Sequence, residues 1–278
     1  MLSLEQLESY YPPNLRRFKK NILREYLQYK ILDIIFNFNF KNSPSSLSSS
    51  SNAGFSSVKS SKLSFMSGTS LRVIYNNSRF SEDLDFDNFG LTQNEFTLLS
   101  EKIKKELELE GYSTEIKNVF KNAYRCYIKI PKILFDEKLS GLPEEKIIIQ
   151  VDTEPQNFEY EPERKIINKF DVFTEILATP PDILLSQKIY ASLNRRRAKG
   201  RDFWDIIFLL QKTKPNYDYL DKKLSVKTSA DLKNKFMKDL YPLDFNELAK
   251  DVEPFLFNPE ESKKIKLFLE YIKQTDNF

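Results

Sequence analysis

Residues 65–89 read FMSGTSLRVIYNNSRFSEDLDFDNF, and this stretch sets the expected fold of the whole chain. It opens with the small, hydroxyl-bearing run Ser67–Ser70, whose backbone N–H groups and hydroxyls can be offered to phosphate oxygens. It closes with Asp83 and Asp85, whose spacing of two places both carboxylates on one face of an extended strand. The pattern predicts a catalytic centre whose ligands are phosphate and metal.

The elements around this stretch follow from its local patterns. Residues 62–66 read as a short strand leading into a turn at Gly68, and residues 71–75 read as a helical segment leaving that turn. A turn between a strand and a helix aims N–H groups at an anion. Residues 83–89 read as the next strand, so the sequence predicts a phosphate turn followed by a strand that carries two acids.

The composition limits the chemistry that the chain can perform. It has 278 residues, of which 40% are hydrophobic, enough for a buried core in one or two domains. The net charge of +3 excludes a uniformly cationic surface, so any polyanion site must be local. The N-terminus lacks a signal-like pattern, and no run approaches the roughly 20 apolar residues of a membrane span, so we expect a cytoplasmic protein.

Two residue types are informative because they are scarce. Cys126 is the single cysteine, which excludes an internal disulfide and a thiolate metal cluster. Histidine is absent from the sequence, which removes Ser-His-Asp and Cys-His catalysis and nearly all zinc chemistry. Acid–base and metal work therefore fall to carboxylates, lysine, tyrosine and water, and magnesium is the natural metal for such ligands.

The N-terminal part predicts one long helix and one loop. Apolar residues recur at spacings of three and four from Leu15 to Phe36, which indicates an amphipathic helix. Residues 43–61 are dominated by serine and have almost no bulky apolar side chains. Because such a segment cannot repay the entropy of ordering, we expect a mobile loop there, inserted within a domain.

Residues 92–153 predict a helix followed by strands. Thr92 and Glu95 form a capping-box signature, and the apolar face that follows ends at Gly111. Residues 112–153 are rich in β-strand patterns, and Asp152 closes the last strand on the face of Ile148 and Gln150. A carboxylate at this position could be a third acid of the metal site, as a metal ligand or as the base. The sequence alone cannot show that Asp152 lies near Asp83 and Asp85.

From Thr179 onwards the pattern becomes helical, which places a domain boundary after residue 178. Residues 179–182 offer a helix cap with proline in the first turn, and a second helix follows a loop that ends at Gly200. Further helices are expected near 229–241 and 260–273. The expected organisation is a core domain at 1–178 and a helical region at 179–278 that completes the active site.

Charged residues on the first two of these helices form a second pattern. Lys188, Ser192 and Arg195 share one helix face, so a cationic row could reach phosphates. The simpler interpretation is a solvated basic surface, because runs of charge usually face water. Arg201 and Asp205 are four residues apart and could pair across one turn, which favours a structural role for them.

The aspartate pair also has a simpler interpretation, in which Asp83 and Asp85 are solvated acids at a strand edge. Context favours function, because the chain has only six glycines and one of them lies in the small-hydroxyl run before the pair. Two carboxylates at this spacing start about 6.5–7 Å apart at their Cα atoms. They can converge on cations, which lie about 3.5–4 Å apart in two-metal sites.

Three segments together resemble the nucleotidyltransferase AbiEii/AbiGii toxin family. Residues 65–72 resemble the family pattern F-x-G-G-T-A-L-R, and residues 79–86 match R-F-S-E-D-L-D-F. Residues 188–205 contain a pattern like K-x-x-A-x-x-x-R followed by R-D-x-x-D. The resemblance extends over about residues 14–213 in the same order, and its middle segment is the most specific.

The resemblance implies a fold, a reaction and partners. The fold is α+β, a minimal nucleotidyltransferase core of a small mixed sheet flanked by helices, with a helical C-terminal portion. The reaction moves a nucleoside monophosphate from a nucleoside triphosphate to an acceptor, either an RNA such as tRNA or a protein, with Mg²⁺ or Mn²⁺. The implied biological role is the toxin of a prokaryotic toxin–antitoxin or phage-defence system, with a cognate antitoxin as partner.

Residue roles follow from the residues and the resemblance together. The expected metal ligands and catalytic groups are Asp83, Asp85, Asp152 and Lys188, and the expected phosphate contacts are Ser67, Gly68, Thr69, Ser70, Arg79, Arg195 and Arg197. Supporting roles fall to Ser81, Arg201, Asp202 and Asp205. Ser67 and Ser70 stand where the family has glycine and alanine, and either Arg195 or Arg197 takes the family's arginine position.

Two other functions stay open from the sequence. In the first, the chain is a non-catalytic module that captures nucleotide or RNA and acts through a protein partner. In the second, it is a structural domain whose acids are incidental. Nucleotide binding without turnover would indicate the first, and the absence of magnesium-dependent nucleotide binding would indicate the second.

Overall fold

The computed structural model describes residues 2–40, 62–121, 123–275 and 278. The chain divides into two compact units. The first comprises Met1–Phe65, Glu82–Asn157 and Pro162–Ala178, and the second comprises Met66–Ser81, Phe158–Glu161 and Thr179–Phe278. The second unit thus resumes at Thr179, but it also contains Met66–Ser81, which the sequence assigns to the first domain. The expected loop at 43–61 lies outside the described residues.

A mixed sheet forms the centre of the first unit. Its strands in the described residues are β1 (Leu63–Met66), β2 (Leu84–Asn88), β3 (Glu115–Phe120), β4 (Tyr124–Ile130), β5 (Ile147–Glu154), β6 (Glu163–Lys169) and β7 (Val172–Ala178). Their order is β3-β4-β5-β2-β1-β7-β6, with β2 parallel to β5 and β1 parallel to β7. The neighbours β3/β4, β4/β5 and β6/β7 are antiparallel. The mixed sheet and the helices confirm the predicted α+β class.

Helices account for most of the remaining described residues. They are α1 (Leu4–Ser9), α2 (Lys19–Asn37), α3 (Ser67–Tyr75), α4 (Gln93–Leu109), α5 (Ile133–Asp136), α6 (Pro181–Asn194), α7 (Gly200–Leu210), α8 (Tyr217–Leu224), α9 (Ser229–Asp239), α10 (Phe245–Val252), α11 (Lys263–Lys266) and α12 (Phe268–Gln274). In the first unit α2 packs on β7, and α4 packs on β3 and β4. The long N-terminal helix is confirmed, but it begins at Lys19 because Pro13–Leu15 forms a separate 3-10 turn.

Helix α4 has the start and the buried face that its sequence predicts. The Thr92 hydroxyl accepts the Glu95 N–H, and the Glu95 carboxylate accepts the Thr92 N–H, so the capping box is formed. The apolar residues of its predicted face are all buried; they are Phe96, Leu99, Ile103 and Leu107. Gly111 follows the helix with a φ of +94°, a conformation that favours glycine.

The second unit is a helical bundle with one continuous core. Of the predicted apolar positions of α6 and α7, Leu193 is partly buried against this core and the others are buried in it; they are Leu185, Ile189, Phe203, Ile206, Ile207 and Leu210. The same cluster contains Leu71 of α3 and residues of α8 to α12. Residues 78–80 are tied to residues 255–257 by backbone hydrogen bonds, because the Phe80 N–H donates to the Phe255 carbonyl and the Phe257 N–H donates to the Ser78 carbonyl.

Some predicted boundaries in the second unit are wrong. Helix α3 begins at Ser67 rather than Leu71, so the small-residue run is itself the first turn of the helix. Helix α6 begins at Pro181 without a side-chain cap, because the Thr179 hydroxyl instead hydrogen-bonds the Tyr160 hydroxyl. The helix expected at 260–273 is interrupted at Leu267, whose ψ of 7° lies outside the α-helical range.

Two helices of the second unit were not predicted, although their caps are visible in the sequence. The Asn216 side chain accepts the Tyr219 N–H at the start of α8. The Asp244 carboxylate accepts two backbone N–H groups at the start of α10. Across the part of the chain that the structure describes, none of the helices combines the length and the apolar composition that crossing a membrane requires.

Candidate active site

The acidic residues of the first unit are placed side by side by strand pairing. Strand β2 runs parallel to β5, and in this register Asp85 lies directly beside Asp152. Adjacent strands are about 4.8 Å apart, and paired residues present their side chains to the same face of the sheet. Asp83 immediately precedes β2, and all three aspartates are partly exposed. The sheet therefore supplies the proximity of Asp152 to the pair that the sequence could not establish.

The carboxylate of Asp152 is engaged by two neighbouring side chains. Arg125 Nε donates to its Oδ1 at 2.8 Å, and Gln150 Nε2 donates to its Oδ2 at 2.8 Å. Arg125 is the register partner of Asp152 on the antiparallel strand β4, and this hydrogen bond raises the pKa of Arg125. Both oxygens of Asp152 thus have protein donors in this structure.

Whether these aspartates suit a metal ion depends on their ligand atoms and on how closely the side chains are grouped. The oxygen ligands of Asp83 and Asp85 have the hard chemistry that Mg²⁺ prefers. Within residues 2–40, 62–121, 123–275 and 278, however, no three acidic or cysteine side chains are grouped closely enough to hold one ion. Because Arg125 and Gln150 engage Asp152, the three aspartates do not form a ready-made cluster. The aspartate pair fits a metal, and the metal itself stays a prediction.

A further acid on the same strand was missed from the sequence. Asp87 continues the spacing of two after Asp83 and Asp85, and it is 1% exposed. Its Oδ1 accepts the backbone N–H of Gln156 at 2.9 Å, which fixes the chain that leaves β5. The alternation in the sequence was the available signal, and the buried position indicates a structural role for Asp87.

The small-residue run of the second unit forms the first turn of α3. Ser67 has a φ of +69°, which sets the sharp change from the extended Met66 into the helix. The Ser70 hydroxyl donates to the Ser67 carbonyl at 2.8 Å, and Thr69 is buried. The first N–H groups of a helix have no acceptors within that helix. The backbone of α3 therefore matches the expected phosphate turn better than its hydroxyls do.

Gly68 is required by the side chain that lies against it. A Cβ added at Gly68 would stand 2.3 Å from Arg79 Nη2 and 3.0 Å from Ser81 Oγ. Distances this short force a neighbouring atom to move. Arg79, expected as a phosphate contact, is 1% exposed and lies beneath the turn. Its position supports a role in shaping the turn.

Arg79 is held by a fully buried carboxylate. Asp205 accepts from Arg79 Nε at 2.8 Å and from Arg79 Nη2 at 2.7 Å, a bidentate pair. Lys188 Nζ lies 2.8 Å from Asp205 Oδ2 and is itself 7% exposed. Burial alone would raise the pKa of Asp205, but the charges of Arg79 and Lys188 and the hydrogen bonds they donate lower it to about 2. The predicted cationic row is therefore not a solvated surface at Lys188.

Arg79, Asp205 and Lys188 form a buried ion network, and Asp202 connects this network to the protein surface. Lys188 Nζ is 3.3 Å from Asp202 Oδ1, and Arg195 Nε is 2.9 Å from Asp202 Oδ2. The Arg195 side chain is about half exposed, so it joins the buried charges to solvent. Arg197 instead lines a cleft of about 440 Å³ next to residues 243–251. This difference favours Arg195 for the arginine position. The Arg201 guanidinium lies 4.5 Å from the centre of the Phe255 ring.

Comparison with solved structures shows that the fold is shared with a known protein. JHP933 from Helicobacter pylori aligns at 16% identity over 91% of each chain with a TM-score of 0.51, which shows a shared fold. A further H. pylori structure aligns at 16% identity over 91% of this chain and 94% of that one, with a TM-score of 0.49. An antigenic nucleotidyltransferase-like protein from Paracoccidioides brasiliensis aligns at 16% identity over 68% of this chain and 84% of that one, with a TM-score of 0.41. A search of curated proteins gave no match.

The family follows from the sequence model that the chain matches. Residues 57–276 match the family described as "Nucleotidyl transferase AbiEii toxin, Type IV TA system". This match covers most of the chain, and the chain belongs to that family. It is a nucleotidyltransferase of the toxin type, as its three sequence segments predicted, and the family description implies an antitoxin partner.

Proposed function

We propose that this protein transfers a nucleoside monophosphate from a nucleoside triphosphate to a hydroxyl of an acceptor RNA, with pyrophosphate as the leaving group, in a reaction that requires a divalent metal. The observation that carries the proposal is the pairing of β2 with β5 in the first unit, in which Asp152 lies beside Asp85. Asp83 lies two residues before Asp85 on the same chain segment. Family membership supports the reaction class. The reaction class follows from the family, whereas the metal, the triphosphate and the acceptor are proposed.

The acids of the first unit have distinct roles in this proposal. Asp83 and Asp85 would hold Mg²⁺ or Mn²⁺, which offsets the charge that develops on the phosphates and favours loss of the acceptor hydroxyl proton. Asp152 is the third carboxylate, and Arg125 and Gln150 orient it. Since carboxylates on a rigid sheet keep their geometry, these strands can align acids with a reacting phosphate.

The second unit supplies groups that bind phosphate. The first turn of α3 presents backbone N–H groups and the positive end of a helix dipole, which favour an anion. Arg195 is partly exposed and can contact a phosphate oxygen directly. Lys188 lies deeper, bound to Asp202 and Asp205, and contributes positive charge close to Arg195 through their shared partner Asp202.

RNA is favoured as the acceptor by the charge of one segment. Residues 212–239, which include α8 and α9, contain eight lysines and four aspartates, more net positive charge than the +3 of the whole chain. Lys214, Lys222 and Lys238 are exposed and make no ion pair with any other described residue. Tyr241 follows with 79% exposure and can stack on a base. Lysines in such a patch bind a phosphate backbone without sequence preference.

A label-transfer assay tests the proposal. Purified protein is incubated with Mg²⁺, each of the four labelled nucleoside triphosphates and total RNA or protein. The expected result is labelled RNA, loss of labelling with EDTA, and loss by more than about 100-fold in Asp85→Asn. Asp136→Asn, an exposed acid of α5, is the matched control and keeps full activity.

Each contrary outcome of that assay identifies an error. Labelled protein without labelled RNA would overturn the acceptor assignment. Full activity in Asp85→Asn would overturn the role of the acidic face, which consists of Asp83, Asp85 and Asp152. Nucleotide binding without transfer to any acceptor would instead support a non-catalytic binding module.

A further inference from the structure

Asn77 is a buried polar residue with one defined orientation. Its Nδ2 donates to Asp205 Oδ1 at 2.9 Å, and its Oδ1 accepts from Trp204 Nε1 at 2.8 Å. The indole N–H can only donate, and an ionised carboxylate can only accept. The amide orientation is therefore determined by its two neighbours. Asn77 has no exposed surface, so water cannot substitute for either bond.

The Asp205 carboxylate is saturated by the groups around it. Its two oxygens accept from Asn77 Nδ2, from Arg79 Nε and Nη2, and from Lys188 Nζ. A carboxylate has about four lone-pair positions, and each of these donors takes one. Asn77 and Arg79 donate from the segment between α3 and β2, and Lys188 donates from α6, so removal of any one donor removes a contact that holds the orientation of the carboxylate. Asn77 is the only uncharged donor of this set.

We infer that Asn77 and Trp204 are positioning residues for nucleotide transfer. Trp204 fixes the Asn77 amide, and Asn77 in turn fixes the Asp205 carboxylate. That carboxylate binds Lys188, and it also holds the Arg79 guanidinium against Gly68. The inference rests on the proposed phosphate-binding role of α3 and Lys188. Neither Asn77 nor Trp204 is a defining position of the family patterns seen in the sequence.

Two substitutions separate the steps of this chain of contacts. Trp204→Phe keeps an aromatic ring in the core but removes the N–H donor together with part of the indole ring, so the Asn77 amide loses the bond that fixes its orientation. Asn77→Ala removes both bonds at once. If Trp204 acts through Asn77, the double variant should behave like Asn77→Ala alone, because the two effects are not additive.

Nucleotide affinity is the first readout. ATP, GTP, CTP and UTP are titrated in turn with Mg²⁺ into each variant by calorimetry, at a temperature where all variants are folded. The dissociation constant of the nucleotide that binds should rise about 5- to 20-fold in both single variants and no further in the double variant. Ile272→Val, in the core of the same unit and outside the network, is the control that loses stability and keeps its affinity. Unchanged affinity in Trp204→Phe would overturn the inference.

The second readout needs no nucleotide and separates this inference from the proposed function. The protein is treated with an amine-reactive reagent, and mass spectrometry measures the rate at which Lys188 is modified relative to the exposed Lys102. We expect several-fold faster labelling of Lys188 in Asn77→Ala and Trp204→Phe and no change in Ile272→Val. If the wild-type protein bound no nucleotide, the proposed function would fail, while an unchanged Lys188 rate would still overturn the positioning role.

Discussion

The acidic face of the first unit and the ion network of the second unit differ in how deeply their charged side chains are buried. Asp83 and Asp85 are partly exposed, and they lie two residues apart at the start of one strand. Asp205 and Arg79 are fully buried, and each is fixed by several hydrogen bonds. Partly exposed charges contribute little to stability, whereas buried ion pairs hold local shape. Substitutions in the two regions should therefore separate activity from stability.

Removal of Asp205 should have the largest effect on stability. Asp205→Ala leaves Arg79 and Lys188 buried without their shared counter-ion, and breaking a buried pair costs about 3–5 kcal/mol. Urea unfolding followed by circular dichroism measures this loss. Asp152→Ala, which breaks the partly exposed pair with Arg125, is the comparison in the first unit and should lose about 1 kcal/mol. Equal losses would contradict the contrast between the regions.

A methyl group at Gly68 should disturb the second unit next most strongly. The added Cβ in Gly68→Ala meets the Arg79 guanidinium, which cannot move without leaving Asp205. We expect a loss of about 1–3 kcal/mol in urea unfolding and weaker nucleotide binding. Gly141→Ala is the matched control, because nothing lies within 4 Å of a Cβ there. A similar stability for the two variants would show that the turn is not packed on Arg79.

The lowered pKa of Asp205 predicts a change of stability in acid. Its folded pKa of about 2 lies below the ordinary value of 3.8, so its ionised form stabilises the fold above pH 4. This contribution is lost as the pH falls from about 4 to about 2, and it amounts to about 2 kcal/mol. Urea midpoints measured between pH 2 and 5 should fall less steeply in Asp205→Asn than in the wild type. Parallel curves would contradict the assignment.

The smallest effect is expected at Ser67. Its φ of +69° costs a side-chain-bearing residue about 1 kcal/mol, and Ser67→Gly removes that cost. The gain is partly offset because glycine has more freedom in the unfolded chain, so the melting temperature should rise by about 1–2 °C. Asn76→Gly, at the other end of α3 with a φ of +58°, should gain less because asparagine tolerates this conformation. A lower melting temperature in Ser67→Gly would indicate that the serine side chain stabilises the turn.

Much of the fold was predictable because its local signals agree with its packing. The capping box at Thr92, the apolar face of α4 and the stripes of α6 and α7 all appear where the sequence places them. The start of α3 was misjudged because Ser67 and Gly68 look like a turn. Their conformation depends on Arg79, which packs against the backbone from eleven residues further along the chain.

The site was only partly predictable for a similar reason. The spacing of Asp83 and Asp85 is local, so the sequence reveals it. The neighbourhood of Asp152 depends on the pairing of β2 with β5, and the network of Asp205 depends on contacts more than a hundred residues apart. The simpler interpretation, in which Lys188 belongs to a solvated basic surface, is wrong because Lys188 is buried against Asp202 and Asp205 on the next helix.

Metal binding by the acidic face tests the central claim most directly. Titration of Mn²⁺ into the wild-type protein, followed by electron paramagnetic resonance, should show binding that weakens by more than about 10-fold in Asp85→Asn. The free energy of unfolding of that variant, measured by urea denaturation, should stay within about 0.5 kcal/mol of the wild type. Mn²⁺ binding of equal strength in Asp85→Asn would contradict the account, because the acidic face would then not be the metal site.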